Sequence, residues 1–114
     1  MDNFVSGIAP QERIEITKKE VIEKIVADPE SLENKELIGK YIDQLQAKVD
    51  HQELTDLAYV VGIAELYEEA GRQNPAWRET ASDSLYEAAM LANQYGEEDL
   101  CNRIITRMNE FESA

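Results

Sequence analysis

The stretch from His51 to Gly71, HQELTDLAYVVGIAELYEEAG, is apolar around more of its circumference than one buried face requires. On a helix, Leu54, Leu57, Ala58, Val61 and Ala64 line one face at three-and-four spacing, and Tyr59, Ile63, Leu66, Tyr67 and Ala70 cover a neighbouring one. Val60 widens the arc. A surface helix needs a single stripe of about 100°, so this segment calls for partners on two sides and belongs in the interior. Gly62, in mid-run, costs roughly 1 kcal/mol against alanine and suggests a close helix approach there. The run Leu57–Ala64 is too short, and too closely followed by Glu65, Glu68 and Glu69, for a bilayer span of about 20 apolar residues.

The remaining pattern supplies the partners. Thr17 and Glu20 have capping-box spacing, and Val21, Ile22, Ile25 and Val26 follow up to Asp28-Pro29, which predicts a first helix over 18–27. Asn34 is the expected cap for a second helix with the stripe Leu37, Ile38, Tyr41, Ile42, Leu45 and Val49. Asp50 is the expected cap of the central helix and Gly71 its stop, with Asn74-Pro75 opening the next. There Trp77, Ala81, Leu85, Ala88, Ala92 and Tyr95 make an alanine-rich seam that lets helices approach closely. Gly96 ends it. Glu97, Glu98 and Asp99 then start a last helix striped by Leu100, Cys101, Ile104, Ile105, Met108 and Phe111, with Arg103 and Arg107 in its closing turns. Nothing reads as a paired strand. The expected fold is all-α: a single-domain helical bundle of four main helices over residues 18–114, preceded by a short N-terminal helix or arm, with 1–17 as arm or helix lead. The hairpin Leu57–Leu91 resembles a tetratricopeptide unit only superficially. Both helices read near 20 residues where that repeat fits two into about 34, and no second copy follows.

Charge is the strongest global constraint. The 114 residues carry a net −13 with a pI near 4.3, against nucleic acid or an anionic membrane as direct partner. Residues 1–50 hold 11 acids and 7 bases, residues 51–114 hold 13 and 4, and no lysine follows Lys48. One cysteine excludes an intrachain disulfide, and MDNFVSGIAPQERIEI lacks the basic head and long apolar centre of a secretory signal, so the expected compartment is the cytoplasm.

The catalytic inventory is thin. A bundle di-metal site uses Glu-x-x-His on two helices, and the one histidine, His51, lies in no such motif. Cys101 falls on an apolar stripe behind three carboxylates, the setting of a buried structural cysteine. Phosphate loops, Ser-His-Asp arrangements and CxxC pairs are missing from the sequence. The reading is therefore no enzyme, cofactor or metal, but a non-catalytic protein–protein interaction module, a small acidic adaptor or inhibitor binding another protein through helix faces. The candidate contact residues are Glu65, Glu69, Trp77, Asp83, Tyr86 and Glu87. Two alternatives stand beside it. The acidic half could mimic nucleic acid in the basic groove of a DNA- or RNA-binding protein, since Glu53 to Asp99 holds 11 acids against Arg72 and Arg78. Or Trp77 and Tyr86 could anchor a homodimer.

Overall fold

The computed structural model describes residues 15–113. They form α1 (Lys18–Ala27), α2 (Leu32–Asp50), α3 (Asp56–Gln73), a 3-10 turn (Pro75–Trp77), α4 (Arg78–Gln94) and α5 (Glu98–Ser113), with no strand among them. The all-α expectation therefore holds, with α1 as the short leading helix and α2–α5 as the four long ones. Within the expected arm, residues 1–14 lie outside the described residues and 15–17 have no helical structure.

Local chemistry accounts for most boundaries. The Thr17 hydroxyl accepts from the Glu20 N–H at 3.1 Å while the Glu20 carboxylate accepts from the Thr17 N–H at 3.3 Å, so two donors at the start of α1 are satisfied reciprocally. Asp28 caps the other end, as Pro29 requires. The cap of α2 is Ser31 rather than Asn34: the Ser31 hydroxyl accepts from the Asn34 N–H at 3.3 Å. Asn34 instead donates its amide to the Lys24 and Asp28 carbonyls, at 2.9 and 3.1 Å, a second donor to acceptors that already take the Asp28 and Ser31 N–H groups at the end of α1.

The central helix is displaced from its expected bounds. Asp50 closes α2, His51 caps it, and Gln52 turns the chain with φ at +62°. Two antiparallel helices need such a reversal, and Thr55 then provides the cap of α3, accepting from the Ala58 N–H at 3.0 Å. Gly71 does not stop α3, which runs on to Gln73. It is instead where a neighbour comes close: a Cβ there would lie 2.5 Å from Phe111 Cζ and 3.3 Å from Ala81 Cβ. At Gly62 a Cβ would meet only Leu45 Cδ1, at 3.7 Å, so the close approach expected at Gly62 occurs at Gly71.

The two-faced reading of α3 is realised as two cores sharing one helix. Leu66 and Ala70, with Tyr59, Ile63 and Tyr67 at the margin, join Val21, Ile22 and Ile25 of α1, Ile38, Tyr41 and Leu45 of α2, and Trp77. Ala64, with Leu57, Val60 and Val61, joins Leu85, Ala88, Ala89 and Ala92 of α4 and Cys101 and Ile104 of α5. Ala58, expected on a core face, is exposed, as is Tyr95, which does not close the α4 seam. The Cα trace measures 56 × 36 × 16 Å, a thickness that admits about two helix layers packed 8–10 Å apart. Glu68 meets Arg107 and Gly71 faces Phe111, so α3 and α5 run in the same direction; Lys18 beside Glu65 and Val26 beside Asn74 give α1 that direction too.

Candidate interaction surface

The six candidate contact residues divide among three places. Glu65 and Glu69 lie on α3 in a groove of about 580 Å³, walled by Lys18, Lys19, Ile22 and Glu23 of α1 and by Arg107 of α5. Glu65 has Lys18 Nζ at 4.0 Å and Arg107 Nη2 at 3.9 Å, so its charge is shared with two cations. Glu69 accepts from the Gln73 amide at 3.1 Å. This groove is close to balanced in charge rather than acidic.

Its inner edge holds a residue that the sequence reading took only as one of the charges closing the run Leu57–Ala64. Glu68 is 5% exposed, and its carboxylate accepts from Arg72 Nη2 at 2.7 Å, one turn along α3, and from Arg107 across on α5. Burial alone would raise its pKa; the Arg107 and Arg72 guanidinium groups outweigh that and hold it below the ordinary carboxylate value. Arg107 is correspondingly raised, chiefly by its hydrogen bond to Glu68. Arg107 is thus not a dipole-complementing residue of a closing turn, because α5 continues to Ser113 and leaves it mid-helix, facing α3. A signal for Glu68 was present: Leu57, Val61, Ala64 and Glu68 step by four, three and four, which carries the carboxylate along one side of α3.

Trp77 belongs to the core. Its indole N–H donates to the Ile25 carbonyl at 2.9 Å and its ring stacks on Tyr67 with centroids 5.7 Å apart, while Asn74 donates to the Val26 carbonyl at 2.9 Å. The α3–α4 connection is thereby fastened to the last turn of α1, and Trp77, at 9% exposure, has little surface for a partner.

Asp83, Tyr86 and Glu87 remain together. They share a groove of about 460 Å³ between α4 and α5 with Ser82, Met108 and Glu112, a lining with three carboxylates and no base. The Ser82 hydroxyl donates to Glu112 and ties the two walls. Tyr86, 54% exposed, stands on the rim because Leu85, Ala88 and Ala89 already fill the inner side of α4.

Cys101 is buried among the apolar residues of the α4–α5 core, and His51 is exposed at the end of α2, so the two are held in different environments. Among the described residues no three of His, Cys, Asp and Glu are grouped to hold a metal ion, and no helix is long and apolar enough to cross a membrane. The fold and its grooves define a helical protein with an acidic cleft. No protein-family model matches the chain, and neither a curated protein nor a solved structure matches it.

Proposed function

We propose that this protein is a non-catalytic protein–protein interaction module that holds a basic segment of its partner in the α4–α5 groove. The observation that carries the reading is the exposure of Tyr86 between Asp83, Glu87 and Glu112, with no base in the groove lining. An aromatic face attracts a lysine or arginine head by about 0.5–1 kcal/mol at an exposed site. Flanking carboxylates add attraction that acts mostly on association rate and falls with salt. The α1–α3–α5 groove is less suited, since Lys18, Lys19 and Arg107 offset its glutamates. The partner is read as a protein in the same compartment, the cytoplasm by the sequence argument. Titration with a fluorescent lysine- and arginine-rich peptide across a salt series tests it: binding that weakens with salt, and further with Tyr86→Ala or Asp83→Lys, is expected. Affinity indifferent to salt and to both substitutions would refute it.

A specific observation also favours nucleic-acid mimicry on the same helix. Glu79, Asp83 and Glu87 are exposed and spaced four apart, which sets successive carboxylates roughly 6 Å apart along α4. In that reading the partner is a basic DNA- or RNA-binding protein, and duplex DNA would compete for it. The homodimer alternative loses an anchor with the burial of Trp77.

A further inference from the structure

α1 covers only the C-terminal half of α3. It begins beside Glu65, 4.0 Å from Lys18 Nζ, and ends beside Asn74, which donates to the Val26 carbonyl. The first two turns of α3 and the end of α2 have no α1 alongside, and burial records the difference. Val21, Ile22 and Ile25 are 0–5% exposed, whereas Leu54, Tyr59 and Ile63, on the continuation of the same core, are only half-buried. A groove of about 380 Å³, containing Val49, Glu53, Leu54 and Asp56, opens at that end.

The backbone entering α1 points toward this gap. The Gln44 side chain pairs with both the N–H and the carbonyl of Ile16, each at 2.8 Å, and Lys48 Nζ lies 3.5 Å from the Glu15 carboxylate. Gln44 and Lys48 are successive turns of α2, so the chain, followed back from α1, tracks along α2 toward Val49. At about 3.3 Å per extended residue, the stretch from Glu15 back to Ile8 can reach roughly 23 Å. The groove begins next to Lys48. Residues 1–14 carry three large aliphatic or aromatic side chains near their start, Phe4, Val5 and Ile8, and Asp2, Glu12 and Arg13 as their charged residues.

We infer that the face formed by Val49, Leu54, Tyr59 and Ile63 is a docking surface for the chain's own N-terminal segment, seated through Phe4, Val5 and Ile8. Chain direction, reach and the three apolar side chains together name the occupant.

A nitroxide on Ser6→Cys, in a Cys101→Ala background of the full chain, tests the placement by NMR. Amide signals of Val49, Leu54 and Tyr59–Ile63 should broaden, and stay sharp when spin-labelled, isotopically silent protein is mixed with unlabelled-spin, nitrogen-15 protein. Absence of broadening, broadening elsewhere, or broadening only in the mixed sample, which would make a second copy the occupant, overturns the inference. Independently, Phe4→Ser/Val5→Ser/Ile8→Ser should accelerate amide exchange over 57–63 by about tenfold with helicity retained, because local opening there loses its cover. Unchanged exchange overturns it as well.

Discussion

Replacing Gly71 by alanine sets two opposing effects against each other at one site. In an open helix interior the change stabilises by about 1 kcal/mol, through lower backbone entropy in the unfolded chain and better helix propensity. At Gly71 the new Cβ would sit 2.5 Å from Phe111 Cζ and 3.2 Å from Cε1, so the ring must move; Ala81 Cβ, at 3.3 Å, blocks retreat of the methyl toward α4. Phe111 is 5% exposed, so moving it strains a packed region, and overpacking of this kind costs about 1–3 kcal/mol. The expected balance is a net destabilisation of about 1 kcal/mol, read by urea unfolding followed by circular dichroism and Trp77 fluorescence. Phe111→Leu removes the offending ring atoms, so in that background Gly71→Ala should become stabilising, giving a coupling of about 1–2 kcal/mol between the two sites. Gly39→Ala is the internal control, with nothing within 4 Å of its Cβ, and should stabilise by about 0.5–1 kcal/mol. If Gly71→Ala stabilises as much as Gly39→Ala, or its effect is the same with and without Phe111, the close-packing argument is wrong.

Glu68 has a folded pKa below its ordinary value of 4.5, so its contribution is complete above that value and is lost as pH falls through it toward the folded pKa. Glu68→Gln should therefore show a smaller loss of stability than the parent between about pH 5 and pH 3, measured by denaturant midpoints; an equal loss would remove Glu68 from the acid response. At neutral pH, Glu68→Ala should destabilise by about 1–3 kcal/mol in urea unfolding, below the full cost of a deeply buried broken pair because Arg72 and Arg107 retain access to water. Trp77→Phe keeps the stack on Tyr67 but leaves the Ile25 carbonyl without its donor, and should cost about 1–2 kcal/mol by thermal or chemical unfolding. Asn74→Leu should disturb the same junction by removing the donor to Val26, and faster amide exchange at the end of α1 is the expected readout.

Periodicity made the helices legible because burial has only one helical period to follow. α1 occupies the residues its capping box and the Asp28-Pro29 stop imply, and the two apolar faces of α3 meet two cores. The turn at 51–55 was harder to read because Asp50 and Thr55 are both competent caps, and only the need to reverse the chain chooses between them. Among Glu65, Glu68 and Glu69, helical spacing puts Glu68 in line with Leu57, Val61 and Ala64, but Arg107, 39 positions away, which stabilises it there, is out of reach of any local pattern. Gly71 shows the same limit. A glycine before a polar stretch reads as a stop, and the ring of Phe111 that makes it a contact comes from another helix. Asp83, Tyr86 and Glu87 were named as contact residues together with Glu65 and Glu69, and their separation from those two depends on how α5 lies against α3 and α4.

Because α3 supplies a wall to each core, the five helices have no seam among them along which they can be divided. A cut after Gln73 would leave α4 and α5 without Leu57, Val61 and Ala64, and a cut before Asp56 would strip α1 and α2 of Leu66 and Ala70. Neither fragment should fold alone, and mixing them should restore structure only when the piece carrying α3 is present. Insertions should be borne instead at the turn of Gly96, whose backbone sits at φ +77° with open space around it, outside both cores.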